Sequence, residues 1–372
     1  MSQAARVDSV DQLRAFALLG ICAVNMPFIA APILTGPPVL SGLDHVATFA
    51  IAWLCAGKFF LIFAFLFGWS FGVQQVSAAR AGRSFHVSFL RRSLGLLLIG
   101  SAHALLVFAG DILIPYAIVG ILLLLAGRLR AQSLVRLALA TIPIAAVLLM
   151  VLGGMIASMP LEAESASGYL AGVGPAIAQR FADWQLAFPF ILMTNGPLIF
   201  GAFCLGLAAH RSGFFTPGHA VYERLRRNIG KWWTAGLLLN LPFAAAATGL
   251  IDGAPAALSF MLLAVAAPVL TTTFVVTVSE VARGGRLPRA FGCGGRMSLT
   301  AYVAEGVLGS LFFLGLGLFD TMGMAAITGC AIIIFLVVEL ACAAWLRRNR
   351  QGPLEAVLRA ITSASLPGLS RS

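Results

Sequence analysis

From end to end the chain repeats one pattern, runs of about 20 apolar residues separated by short polar segments. An α-helix of that length rises about 30 Å, the thickness of a bilayer's hydrocarbon layer. A barrel strand would alternate apolar and polar residues, whereas stretches such as 94–107 and 332–340 are apolar on nearly every side. The helix is then the form that satisfies its own backbone in lipid. Charged residues make up 10% of the 372. A soluble domain carries about 25%, so the chain lacks the polar surface to sit in water. The expected fold class is all-α: a polytopic integral membrane helix bundle of about ten transmembrane helices, forming a single domain over residues 1–372. The expected spans lie near 13–31, 46–73, 93–108, 112–126, 134–157, 186–209, 232–251, 258–281, 299–318 and 324–346. The second is too long for one straight crossing, so it is tilted, or broken near Gly57.

Charge sets the orientation. Arginines cluster in alternate loops: Arg80, Arg83, Arg91 and Arg92; then Arg128, Arg130 and Arg136; then Arg211 and Arg224 to Lys231; then Arg283 to Arg296; then Arg347 to Arg350. The intervening loops hold Asp44, Asp111, Glu162, Glu164, Asp183, Asp252 and Asp320, with Arg180 the sole basic residue. Basic loops face the cytosol, so both termini are expected inside, with a cytosolic tail at 347–372. A multi-pass protein of the cell (inner) membrane is the expectation. The same asymmetry accounts for the net charge of +11, and no nucleic-acid partner is expected. The long outer loop, 159–185, is read either as an interfacial segment or as a disordered connector.

Six cysteines occur singly, with no CxxC pair, so no metal site and no redox motif are expected. The first apolar run has no cleavage site after it and is expected to stay as a membrane helix.

An ionisable side chain inside a span costs at least about 2.5 kcal/mol and normally faces a protein interior or a water-filled cavity. Asp11 and Arg14 are three residues apart on one helix face and can pair; an interfacial salt bridge is the plainer reading. Asn25 lies about 16 Å further along the axis and serves either helix packing or a polar cavity. Lys58 is deep in the membrane if the second span is continuous. If the chain breaks at Gly57, it is expected near the outer surface, where its stem can snorkel. Glu305 and Glu339 lie in the ninth and tenth spans, with no partner selected by the sequence.

His103 is the most informative residue. It lies about 18 Å beyond Arg91 along the third span, toward the outside. Asp111 follows in the hairpin turn and Tyr116 in the fourth span. A histidine oriented by a carboxylate can act as general base or nucleophile. A structural histidine, bonded to a backbone carbonyl or to Tyr116, is the other reading, and the spacing leaves open whether His103 and Asp111 touch. The segment Phe291-Gly-Cys-Gly-Gly-Arg-Met-Ser-Leu-Thr-Ala-Tyr302 has the glycines, arginine and helix start that can hold phosphate. Without a complete nucleotide motif, a flexible cytosolic loop explains it better.

Several motifs resemble those of the YeiB-like membrane proteins (domain of unknown function 418). They are Arg6-Val-Asp-Ser-Val-Asp-Gln-Leu-Arg14 through Asn25, and Lys58-Phe-Phe-Leu-Ile-Phe-Ala-Phe-Leu-Phe-Gly68. They continue with Phe89-Leu-Arg-Arg92, and with Gly100-Ser-Ala-His103 through Gly110-Asp111-Ile-Leu-Ile-Pro-Tyr116. The last are Gly295-Arg296-Met-Ser-Leu-Thr300-Ala-Tyr302 and Gly352-Pro353-Leu354-Glu355. They run in order along the chain, although the stretch from about 131 to 279 carries little of the likeness. Ala15 stands where the family commonly has glycine, which should loosen helix packing slightly. The opening is also similar to that of polytopic sugar acyltransferases, in which an acyl-CoA is used on the cytosolic side. Many of those relatives have a histidine where this chain has Asn25, so that role does not carry over.

The leading expectation is a membrane-embedded acyltransferase. His103 and Asp111 are its candidate catalytic pair. Asn25, Tyr116, Lys58, Arg14 and Asp11 are candidates for substrate binding, and Arg91, Arg92 and Arg296 for the phosphates of acyl-CoA. No tightly bound cofactor is expected. The expected partners are the lipid bilayer, acyl-CoA and a glycan or small-molecule acceptor. A transporter or export-associated permease using Asp11, Arg14, Lys58 and Glu305 is the main rival, and a non-catalytic assembly protein the third reading.

Overall fold

A computed structural model describes residues 3–33, 35–158 and 167–363. Among them every regular element is a helix. In chain order these are α1 (Gln3–Ala30), α2 (Gly42–Leu54), α3 (Phe59–Arg80), α4 (Phe85–Leu106), α5 (Leu113–Ala126), α6 (Ala131–Ser158), α7 (Ser167–Leu170) and α8 (Val173–Ser212). There follow α9 (Ala220–Arg227), α10 (Ile229–Ala247), α11 (Gly253–Arg283), a 3₁₀ turn at Arg289–Gly292, α12 (Cys293–Arg296), α13 (Ser298–Phe313), α14 (Met324–Leu346) and α15 (Pro353–Ser363). Each of the ten expected spans overlaps one of these helices or, for the second, the pair α2–α3. Among the described residues seven helical stretches are long and apolar enough to cross a membrane, and α5 and α13 are shorter apolar helices. Large apolar side chains also stand on the outside, with Leu125 83% and Leu340 67% exposed. Water would penalise that surface and lipid does not. The protein is a multi-pass helical membrane bundle.

Helix α1 runs through the interior, with Leu13, Ala15, Ala17 and Leu18 fully buried, and packs on α3, α11, α12, α13 and α14. Ala15 is no loose point: the close approach is made from the other side, where a Cβ on Gly295 would lie 1.8 Å from the Asp11 carbonyl. Helices α3 and α8 also approach closely. Cβ atoms on Gly68 and Gly206 would lie 2.0 and 1.9 Å from the backbone oxygens of Phe203 and Phe65. Glycine at both positions lets the backbones touch, as small residues commonly do in membranes.

Two sequence expectations change. Residues 173–185 of the supposed outer loop belong to α8, and 167–170 form α7, while 159–166 fall outside the described residues. The segment is held by polar bonds that composition did not reveal. Tyr169 donates to Asp183, Gln179 Nε2 donates to Asp183 Oδ1 at 2.9 Å, and Arg180 stacks over Tyr169 at 5.6 Å. At 40 residues, α8 rises about 60 Å, twice a hydrocarbon layer, so it projects beyond it.

The second change concerns the tail. Residues 353–363 form α15, which lies against α4 and α13. Glu355 accepts the Leu299 and Thr300 amides at 2.8 and 3.2 Å and the Thr300 hydroxyl at 2.6 Å. It thereby supplies the acceptor that the first amides of α13 lack. A Cβ on Gly352 would lie 2.2 Å from Glu355 Oε2, which gives that glycine its place in the motif. Glu355→Ala is expected to undock α15 and to speed trypsin cleavage at Arg359 at least tenfold in the detergent-purified protein. Unchanged cleavage would contradict the docking role.

Candidate functional site

The turn between α4 and α5 brings His103 and Asp111 together. The Asp111 carboxylate serves two purposes at once. Its Oδ1 accepts the Leu113 and Ile114 amides at 2.7 and 3.2 Å, closing the start of α5. Its Oδ2 meets His103 Nδ1 at 2.8 Å and the Tyr302 hydroxyl of α13 at 3.1 Å. An ionised carboxylate only accepts. Nδ1 therefore carries the hydrogen, and Nε2 of a neutral ring is left with its lone pair. The His103 and Asp111 side chains are 2% and 0% exposed. Gly100 makes room on one side, where a Cβ would come 2.9 Å from Asp111 Oδ1. Gly306 does so on the other, where a Cβ would come 2.5 Å from His103 Nε2.

Nε2 has no protein partner among the described residues. The ring borders a cavity of about 10 Å³ together with Asn25, Tyr302, Glu305 and Gly306. Asn25 thus joins the His103 neighbourhood. Tyr116 does not bond the histidine: its hydroxyl donates to the Phe60 carbonyl. The tyrosine that completes the site is Tyr302, one of four in the chain. The sequence signal for it was a phenol three residues before Glu305 in an apolar helix.

At the arginine-rich end lie two adjoining cavities of about 860 and 350 Å³, with Arg14, Arg92 and Ser298 in the walls of both. Arg14 is fixed by Asp11 at 2.8 Å and Ser70 at 2.9 Å. Arg80 adds a further cation to the larger space, and Arg296 and Arg359 to the smaller. Arg359 is contributed by α15, which sequence reading took for a tail. Arg91 lines neither cavity. It is adjacent to Arg92, and one residue turns a helix by about 100°, so the two point different ways. The phosphate reading of 291–302 also changes. The Gly294 amide donates to Glu339 Oε2 at 3.0 Å and Glu355 occupies the first amides of α13, so carboxylates already fill the anion positions.

The smaller arginine-lined cavity extends inward to Tyr116, Leu113 and Tyr302, and stops there. Tyr302 and Ile21 line both it and the small cavity beside His103. These two side chains therefore face both the arginine-lined space and the His103 cavity.

Lys58 sits elsewhere. The chain does break at Gly57, whose φ of +81° suits glycine, yet Lys58 is fully buried. The snorkelling expectation fails because α2 has already carried the chain 13 residues inward, about 20 Å. The depth is marked by Trp53 donating to the Leu237 carbonyl of mid-α10 at 2.8 Å. Lys58 Nζ donates to the Ala52 carbonyl at 2.8 Å, capping the end of α2, and lies 5.7 Å from the Phe243 ring centroid.

Sequence comparison agrees with the resemblance. The family model described as "Protein of unknown function (DUF418)" matches residues 209–365. The uncharacterised protein YxaH of Bacillus subtilis (strain 168) is 27% identical over 97% of this chain and 95% of its own length. The uncharacterised protein YeiB of Escherichia coli (strain K12) is 28% identical over 98% of each. A third, an uncharacterised 39.9 kDa protein encoded in an amylase 3′ region of Bacillus acidopullulyticus, is 36% identical over 32% of this chain and 33% of its own. No solved structure matches.

Proposed function

The chain belongs to the YeiB-like DUF418 family, and we propose that it is a membrane-embedded acyltransferase, moving an acyl group from a cytosolic acyl-CoA to an acceptor at the outer side. The observation behind this reading is His103, held at Nδ1 by Asp111 with Nε2 unpartnered among the described residues. That is the arrangement of an oriented general base. The acceptor's O–H proton passes to Nε2 while its oxygen attacks the thioester carbonyl. The C–S bond then breaks, and the thiolate leaves toward the arginine-lined cavities, where water protonates it to the thiol, while the proton on Nε2 departs separately. Attack by Nε2 itself would instead give a transient acyl carrier. Asn25, on the same small cavity, is placed to bind the reacting carbonyl.

The arginine-lined cavities support the donor half. Their volumes of about 860 and 350 Å³ both fall within the usual range for ligand sites, about 300–1,000 Å³. Arg14, Arg92, Arg296 and Arg359 would meet the phosphates of CoA through charge-assisted bonds, with no tightly bound cofactor needed. The reading requires Tyr302 to swing aside, since its ring separates the donor space from His103. The acceptor would be a glycan or another small hydroxyl or amine compound, and the setting the cell (inner) membrane.

The test is transfer of radiolabel from acetyl-CoA to an amino-sugar acceptor by the purified protein. His103→Ala is expected to lower transfer at least a hundredfold while the thermal midpoint stays within a few degrees. Absence of CoA binding across several acyl chain lengths would overturn the proposal. Transport is the weaker alternative. It draws on the helix break at Lys58, the kind of feature that marks ion and substrate sites in carriers. Asp11 and Arg14 line the large cavity and Glu305 the small one, whereas Lys58 borders neither.

A further inference from the structure

A base sealed from water needs a route for the proton it takes up. His103 is 4% exposed, Glu305 3% and Glu339 7%. His103 Nε2, Glu305 Oε1 and Glu339 Oε1 each have no protein partner among the described residues. Two of these atoms face glycines that keep space open in front of them. A Cβ on Gly306 would lie 2.5 Å from His103 Nε2, and one on Gly294 would lie 2.5 Å from Glu339 Oε1. Any larger residue at either position would close the gap. The cavity that His103 and Glu305 share, about 10 Å³, is roughly the size of one water and has the polar walls a water needs.

These groups are stepped along α13. Glu339 is tied to Gly294, just before the helix begins at the arginine-rich end. Glu305 is seven residues into the helix, about 10 Å deeper, and Gly306 beside it faces His103. We propose that Glu305 exchanges a proton with His103 Nε2 through one water, and that Glu339 carries the proton on toward the arginine-rich end. This inference rests on His103 acting as a base. The imidazolium N–H bond breaks as the water takes its proton and gives another to Glu305 Oε1. Glu305 passes a proton through intervening water to the Glu339 carboxylate, which releases one to the aqueous end. One proton has moved and the imidazole is regenerated. The other titratable or polar groups facing Glu305 are Cys22 and Asn25 from α1, Tyr302 with Asp111 behind it, and Cys342 from α14; Cys293 adjoins Glu339.

Infrared difference spectroscopy of the purified full-length protein, titrated in H₂O and D₂O without substrate, tests the coupling. A protonated-carboxyl band is expected that vanishes in Glu305→Gln and whose titration midpoint moves by at least one pH unit in His103→Gln. A midpoint unchanged by His103→Gln, or no band removed by Glu305→Gln, would overturn the relay. In the acetyl-transfer assay, Glu305→Gln is expected to lower turnover at least tenfold and to displace its pH profile, with Glu305→Asp recovering part of the loss. A wild-type rate and profile in Glu305→Gln would sink the relay and leave the acyltransferase standing. Intact infrared coupling in a protein that transfers nothing would sink the acyltransferase and leave the relay.

Discussion

Asp111→Ala is expected to destabilise the purified protein by about 4 kcal/mol or more, read as a large drop in its thermal midpoint in detergent. The substitution takes the acceptor from four donors at once: the Leu113 and Ile114 amides, His103 Nδ1 and the Tyr302 hydroxyl. A buried donor left unpaired costs about 1–3 kcal/mol, and the turn between α4 and α5 loses its cap as well. Asp111→Asn separates the two duties. Its side-chain oxygen still accepts the two amides, but its NH₂ group cannot accept from the histidine or the tyrosine. It is expected to recover about half of the lost stability and none of the transfer activity. Equal midpoints for the alanine and asparagine variants would show that the cap contributes little.

The second large effect lies at the α3–α8 crossing. Gly206→Ala would set a methyl 1.9 Å from the Phe65 carbonyl oxygen, and Gly68→Ala would set one 2.0 Å from that of Phe203. The obstructing atoms are backbone, so no side chain can turn away and the helices must part. A cost of about 3 kcal/mol for each is expected, the upper end for overpacking. Phe67, stacked on Phe203 with ring centroids 4.5 Å apart, would lose contact when the helices separate. Gly154→Ala on α6, with open space around it, is the control. It is expected to be neutral or to stabilise by up to about 1 kcal/mol through helix propensity. Thermal unfolding of the three variants side by side decides the matter.

The bundle was legible in the sequence because lipid imposes a length and an apolar composition on any helix that crosses it. The hairpin carrying His103 and Asp111 was legible for a local reason, two short apolar runs joined by a tight turn, but the spacing left open whether the two side chains touch, and only the fold brings them to 2.8 Å. What escaped was set by contacts between distant segments. Tyr302 reaches Asp111 across 191 positions, and Glu355 closes α13 across more than 50. No spacing rule announces either. The stretch 159–185 looked like loop because it carries several glycines and prolines, yet 173–185 is helical and Asp183 and Arg180 find partners. Lys58 was misplaced because its depth depends on where the helix before it starts, and Asp44 fixes that start. The Asp44 carboxylate accepts the Leu40 and Ser41 amides and, from α14, the Ala325 amide.

A protonated Lys58 would also sense voltage. Moving one elementary charge across the whole membrane potential is worth about 2.3 kcal/mol per 100 mV. An ammonium held at roughly half that depth would feel about half of this. With the arginine-rich side facing the cytosol, as the charge pattern leads one to expect, an energised membrane, negative inside, would pull it toward that side, away from the carbonyls that end α2. The bond from Lys58 to Ala52 would then be a contact whose strength depends on whether the cell is polarised.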